Sequence, residues 1–109
     1  MALNITSQVI TSEGIQVPTS YARISVRDDK NGDQLVVGIS FYATEAAWAA
    51  GSNSFSIKNP SEPQSGLPFQ EWSATPYNRA TDGTDILSLA HDFAQSRLNA
   101  IGVTSQIVL

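Results

Sequence analysis

The sequence predicts an α+β fold, in which an antiparallel β-sheet or small β-sandwich contains a long hairpin at about 20–43. One C-terminal amphipathic helix, at about 85–101, is expected to pack on that sheet. Two observations support this fold class. Apolar residues alternate along two neighbouring segments with Asn31-Gly32 between them, which is a strong hairpin signal. Later in the chain, apolar residues recur with the period of a helix that buries one side.

The hairpin has one register in which the turn and the side-chain pattern agree. A two-residue turn at Asn31-Gly32 places three apolar pairs on the same face of the sheet. These pairs are Val26 with Val37, Ile24 with Ile39, and Ala22 with Phe41. We therefore expect a sheet with one dry side and one wet side.

Short elements flank the hairpin. We expect a polar strand over 3–10 and an extended piece over 15–18, because a residue that precedes proline avoids the helical region. After the hairpin, Thr44 and Gly51 are suited to begin and end a short helix, whose only large side chain is Trp48. So short a helix needs tertiary packing, and this predicts that Trp48 is mostly buried.

The middle and the end of the chain contain three further elements. Phe55 and Ile57 alternate with polar residues and predict a strand, whereas 59–68 reads as a loop and 69–77 as an irregular segment over the core. The helix over 85–101 has Asp82 or Thr84 as its candidate N-cap and Gly102 at its end, and a strand follows over 103–109. Its apolar arc contains Ile86, Leu87, Leu89, Ala90, Phe93, Ala94, Leu98, Ala100 and Ile101. We expect Phe93 to be buried and His91 to be half-buried at the border of this arc.

Composition limits the classes of function. The 109 residues are expected to form a single domain, 1–109, with 10 acidic and 6 basic residues and a net charge of −4. Lys and Arg form no cluster, which argues against nucleic acid as a partner. The absence of cysteine excludes disulfides and thiolate metal sites. No apolar stretch approaches the roughly 20 residues of a membrane span, and no signal peptide is recognisable, so we expect no membrane partner.

The residues that could carry chemistry do not form a recognisable site. His91, the only histidine, has Ser88 and Asp92 beside it, but neighbours on one helix point outward side by side and no oxyanion donor is evident. A boundary histidine is the simpler interpretation. The acidic residues Asp28, Asp29 and Asp33 invite a calcium site, yet their spacing does not fit an EF-hand loop. We expect no enzyme activity, no metal site and no cofactor.

The remaining signals concern surfaces. On the wet face of the hairpin, Tyr21, Arg23, Arg27 and Tyr42 are candidate interface residues, because Tyr and Arg are enriched at contact hot spots. They could equally serve only to stabilise the sheet through cross-strand contacts. Arg97 interrupts the apolar arc of the helix, and it either covers Phe93 with its stem or reaches an acidic group on a neighbouring chain. Both terminal segments lack charge and must be paired within the chain or with a neighbour.

The order of the elements resembles small proteins from the tail and baseplate region of tailed bacteriophages and prophages. A polar strand leads to a turn at Gly14-Ile15 and then to the strand Tyr21-Ala22-Arg23-Ile24-Ser25-Val26. A polar hairpin tip, a second strand, an alanine-rich turn ending in glycine at 46–51, a further strand and a late helix follow. The resemblance covers 10–57 and 85–101 and rests on element order alone, and the loop over 59–81 is longer than the pattern has.

This resemblance implies a non-enzymatic virion structural protein of the tail, baseplate or neck, made in the bacterial host cytoplasm. Its partners would be other virion proteins and copies of itself, in a homo-oligomer or another symmetric assembly. A head decoration protein is one alternative. A second is a small sugar-binding module that uses Trp48, Trp72 and Tyr77 as a platform. A hydrolase built around His91 is the third.

Overall fold

The computed structural model describes residues 1–29, 34–59, 72–76 and 86–108. In chain order its elements are β1 (Ala2–Ile5), β2 (Val9–Ile10), β3 (Gln16–Val17), β4 (Ser20–Asp29), β5 (Gln34–Tyr42), α1 (Glu45–Ala49), β6 (Trp72–Pro76), α2 (Ile86–Ala100) and β7 (Ser105–Val108). The main sheet is antiparallel, with the strand order β6-β5-β4-β1-β7, and β2 and β3 form a separate ribbon. The predicted α+β class is confirmed.

The register of the hairpin is also confirmed over the described residues. β4 and β5 pair Ile24 with Ile39 and Tyr21 with Tyr42. Every pair along this ladder has the offset that a two-residue loop at 31–32 requires. The turn at Asn31-Gly32 itself lies outside the described residues.

The predicted strand over 3–10 is wrong in extent, because two strands in different sheets share this segment. β1 lies between β4 and β7 in the main sheet, whereas β2 pairs with β3. The hydroxyl of Ser7 ends the β1–β7 ladder by accepting from the backbone N–H of Thr104 at 2.9 Å. The strand expected at 55–57 is reduced to single bridges, which join Phe55 to Phe41 and Ile57 to Thr11.

The irregular segment expected over 69–77 is wrong for its central part. Trp72–Pro76 is β6, an edge strand that pairs with β5 and places Trp72 opposite Gly38. Pro76 lies at the last pair of this edge strand, opposite Gln34, where a strand tolerates the missing N–H. The other residues of that segment lie outside the described part of the chain.

The core lies between the inner face of the main sheet and α2, with the β2–β3 side of the molecule contributing to it. The fully buried apolar cluster contains Leu3, Ile5, Val9, Ala22, Leu35, Val37, Ile39, Phe41, Ile57, Ala90, Ala94, Leu98 and Val103. On α2 the buried residues are Ala90, His91, Ala94 and Leu98. The predicted burial of Phe93 is therefore wrong, since its ring is half-buried at the flank of the helix.

The structure confirms both predicted ends of α1 and the predicted C-terminal end of α2. Thr44 accepts the backbone N–H of Ala47 at 3.0 Å and caps the start of α1. Gly51 and Gly102 follow α1 and α2 with φ angles of +80° and +83°, in the left-handed region. The N–H of Val103 returns to the carbonyl of Leu98 at 2.9 Å, so α2 ends in a Schellman motif. The N-cap candidates of α2 lie outside the described residues.

Candidate functional site

The outer face of the main sheet is the face turned away from α2. Tyr21 and Arg23 project onto it from β4, because the alternating residues Ala22 and Ile24 belong to the core side. Tyr42 on β5 is the cross-strand neighbour of Tyr21, and it is half-buried. The outer face thus carries the side chains that the sequence marks as candidate interface residues.

Trp48 of α1 packs onto this face and forms a three-residue group with Tyr21 and Arg23, which we call the contact cluster. The Arg23 guanidinium carbon lies 4.1 Å from the centre of the Trp48 ring. The same guanidinium donates through Nη1 to the Tyr21 hydroxyl at 3.2 Å. The Tyr21 and Trp48 ring centres are 6.0 Å apart, with the planes tilted by 49°. Each member of the cluster therefore holds the other two in one arrangement.

Exposure differs within the contact cluster. Tyr21 is only 5% exposed, whereas Trp48 is 36% exposed. The expectation that Trp48 is mostly buried is wrong, because α1 lies against the outer face and has no buried residue of its own. Tyr21 is consequently the buried member of the contact cluster, and Trp48 presents the accessible aromatic surface.

Two of the other candidate interface residues lie apart from the contact cluster. Arg27 is exposed toward the far end of β4, opposite Val36. Arg97 is half-buried in the last turn of α2, on the other side of the sheet. The structure thus brings Tyr21, Arg23 and Tyr42 to one region and leaves the two arginines outside it.

Trp48 was not among the interface residues predicted from the sequence. The sequence does contain an indication that Trp48 is accessible. Trp48 is the only large side chain of a short helix, so α1 has no apolar face to which it could belong. The neighbours of Trp48 on α1 are alanines and one acidic residue. The pattern could not show on which side of the sheet this helix would lie.

A shallow cleft opens beside the contact cluster, with a volume of about 320 Å³. It lies where β1 ends, β4 begins and β5 leads into α1, and most of the residues that line it have polar side chains. The lining residues are Asn4, Ile5, Thr6, Thr19, Ser20, Tyr21, Ala43, Thr44 and Glu45. Tyr21 belongs to both the cleft and the contact cluster, so the two features are continuous.

His91 is fully buried, at 1% exposure, and the expectation of a half-buried ring is wrong. It lies one helical turn before Ala94 and two turns before Leu98, on the side of α2 that faces the core. Its Nδ1 lies 2.6 Å from the carbonyl oxygen of Leu87, so Nδ1 carries the proton and donates it. Nε2 is buried and has no hydrogen-bond partner within the described ranges. The orienting partner of the ring is thus a backbone carbonyl, not the carboxylate of Asp92.

The described residues contain no group of three or more His, Asp and Glu side chains that could hold a metal ion. The side chains of the acidic hairpin tip lie outside this description, so the calcium alternative concerns residues that the structure does not describe. Within the described ranges, no helix is long and apolar enough to cross a membrane.

Comparison of the chain with protein-family models, with curated proteins and with solved structures found no match.

Proposed function

We propose that this protein is a non-enzymatic structural component of a bacteriophage particle, in the tail, baseplate or neck, where it acts through protein–protein contacts. The contact cluster is the observation that carries the contact role. Arg23, Trp48 and Tyr21 are of the three residue types most enriched at binding hot spots. Because they are already fixed against one another, binding a neighbour costs little side-chain entropy.

The rigidity of the sheet supports the same role. The contact cluster rests on β4 and β5, which are central strands and are paired along their length. A contact on such a block is repeated without distortion in every copy of a symmetric assembly. Repetition makes modest individual contacts sufficient, because linked contacts act together.

The assignment to a phage particle rests on the order of the elements along the chain. A short β-turn segment, a long hairpin, a small alanine-rich helix ending in glycine and a late helix are the features that resemble small tail and baseplate proteins. The proposed location is therefore the virion, after synthesis in the host cytoplasm.

Quantitative mass spectrometry of purified particles tests this proposal. We expect the protein at a fixed copy number per particle, as ring symmetry requires. A protein that remains in the soluble lysate, with none in the particles, would contradict the virion role.

The cleft favours a second candidate function, a small sugar-binding module. Its hydroxyl, amide and carboxylate groups have the chemistry that saccharides require, and its lining residue Tyr21 contacts the ring of Trp48. The side chain of Trp72 and all of Tyr77, which the sequence predicts for the same platform, lie outside the described parts of the chain. Titration with mono- and oligosaccharides should shift the fluorescence of Trp48, and the shift should vanish in Trp48→Phe. No shift with any saccharide would remove this candidate.

A further inference from the structure

β7 forms one edge of the main sheet, and no strand among the described residues pairs with its outer side. The N–H of Thr6 donates to the carbonyl of Thr104 at 2.9 Å, in the same register as the β1–β7 ladder. Hydrogen-bonded and non-hydrogen-bonded pairs alternate along an antiparallel ladder. Gln106 is therefore bonded to β1, and the backbone groups of Ser105 and Ile107 point away from it.

The side chain of Gln95 supports the conclusion that the carbonyl of Ser105 points away from β1. The amide of Gln95 on α2 donates to the carbonyl of Ser105 at 3.0 Å. A carbonyl directed into the β1–β7 ladder would face β1 instead of α2. The oxygen retains a second lone pair for another donor.

The described residues of β7 include neither the charged side chains nor the proline that keep edge strands apart. Natural sheets protect an edge with charge, proline or a bulge. The chain has a net charge of −4, yet its last charged residue is Arg97, and neither a charged side chain nor proline occurs from 98 to 109. Two copies that meet along β7 therefore bring no like-charged side chains of that strand together.

We propose that β7 pairs in antiparallel fashion with β7 of a second copy of this chain, about a two-fold axis at Gln106. In this register Ser105 lies opposite Ile107 of the second copy, and the outward N–H and C=O groups of both residues are used. No other register within the described strand uses all of them. The two main sheets then form one continuous sheet.

The side chains on the outer face suit this pairing. Gln106 meets Gln106 of the second copy, and each amide both donates and accepts. Val108, which is 37% exposed, lies opposite Thr104 of the second copy and loses exposed apolar surface. The contact is isologous, so it closes as a dimer and leaves no further edge of the same kind.

The pairing deepens the proposed function, on which it rests for its biological setting, by naming the partner at one edge as a second copy. It involves none of the contact cluster. A failure of the dimer would therefore leave the virion role open, and a protein absent from particles could still dimerise.

Charge substitutions at the axis test the register. Gln106→Lys and Gln106→Glu each place two like charges about 5 Å apart across the two-fold axis. The control is Asn4→Lys, because Asn4 is the cross-strand neighbour of Gln106 and is also exposed on the outer face. In the dimer the two Asn4 positions are about 14 Å apart, three strand spacings, which exceeds the screening length at physiological salt.

Native mass spectrometry and sedimentation at about 1–500 µM should show a wild-type dimer. Each Gln106 variant alone should dimerise at least tenfold more weakly, and Asn4→Lys should match the wild type. An equimolar mixture of the Gln106→Lys and Gln106→Glu variants should restore a mixed dimer, which a folding defect would not do. A monomeric wild type, larger open assemblies through β6, or no recovery in the mixture would overturn the proposal.

Discussion

The guanidinium of Arg23 lies over the ring of Trp48, with its central carbon 4.1 Å from the ring centre, and so joins α1 to the main sheet. α1 buries none of its own residues and is too short to be stable by propensity. Its position therefore depends on the contacts that Trp48 makes with Arg23 and Tyr21. The same contacts fix the accessible surface of Trp48, which is the basis of the proposed contact role.

A double-mutant cycle measures this relationship. Arg23→Ala and Trp48→Ala should be coupled by about 0.5–1 kcal/mol in the free energy of unfolding, the range of a partly exposed cation–π contact. Urea denaturation of the two single variants and the double variant gives the coupling. The matched control is Arg27→Ala, which is exposed on the same strand and should be additive with Trp48→Ala. Additivity of the Arg23 and Trp48 substitutions would show that the contact contributes nothing in solution.

The orientation of α2 makes a prediction that distinguishes two of its apolar residues. Leu98 is fully buried, so Leu98→Ala should destabilise the fold by about 2–5 kcal/mol. Phe93→Ala should cost less than Leu98→Ala, although it removes more atoms, because the Phe93 ring is only half-buried. Leu87→Ala, at a residue that is 50% exposed, serves as the control and should stay within about 0.5 kcal/mol. The reverse order of Phe93 and Leu98 would place the other side of α2 against the sheet.

The buried ring of His91 supplies the third prediction. His91→Leu removes Nε2, which no described residue partners, and keeps a side chain of similar bulk in the core. An unsatisfied buried acceptor costs about 1–3 kcal/mol, which offsets the packing lost in the exchange. Thermal and urea unfolding should therefore show stability equal to or above that of the wild type. A loss of about 3 kcal/mol or more would mean that Nε2 has a partner in the folded protein.

Gly102 is expected to be sensitive through its backbone alone. A Cβ built at this position has no atom within 4 Å, but φ is +83°, where side chains other than glycine are strained. Gly102→Ala should cost about 1–2 kcal/mol. Gly102→Asn should cost less, since asparagine tolerates the left-handed region better than alanine. Urea denaturation of both variants measures these costs, and equal values would show that the conformational strain is not the cause.

The local parts of the fold could be predicted from the sequence because short-range rules determine them. The alternation along β4 and β5 admits one register around Asn31-Gly32, and the observed ladder has it. The C-terminal ends of α1 and α2 could be predicted from glycine, because only glycine enters the left-handed region at little cost.

Apolar periodicity predicted the buried face of α2 only in part. Two of the four buried residues of α2, Ala90 and Ala94, have small side chains. The larger Leu87 and Leu89 remain exposed. The predicted arc contains Ala90, Ala94 and Leu98, but it places His91 at its border and makes Phe93 a core residue.

Non-local pairing accounts for the other errors. Nothing between Trp72 and Pro76 indicates that β5, far earlier in the chain, supplies the partner strand. The segment 3–10 forms two strands because its two ends pair in different sheets. The alternation of its side chains would be the same in one continuous strand, so the sequence does not reveal the division. The contact cluster was half predicted, since Tyr21 and Arg23 follow from the hairpin register, whereas Trp48 joins them only through the placement of α1.

The most direct test of the contact role is the copy number of variant proteins in particles, measured by quantitative mass spectrometry after complementation. Trp48→Ala should enter particles at a reduced copy number, because it removes the exposed centre of the contact cluster. Ile15→Ala, which also removes an exposed apolar side chain but lies in the turn before β3, should enter at the wild-type copy number. The main sheet should be folded in both variants before assembly, and Trp48→Ala should lose only the docking of α1 that Trp48 provides. Incorporation of Trp48→Ala at the wild-type copy number would contradict a contact surface centred on this cluster.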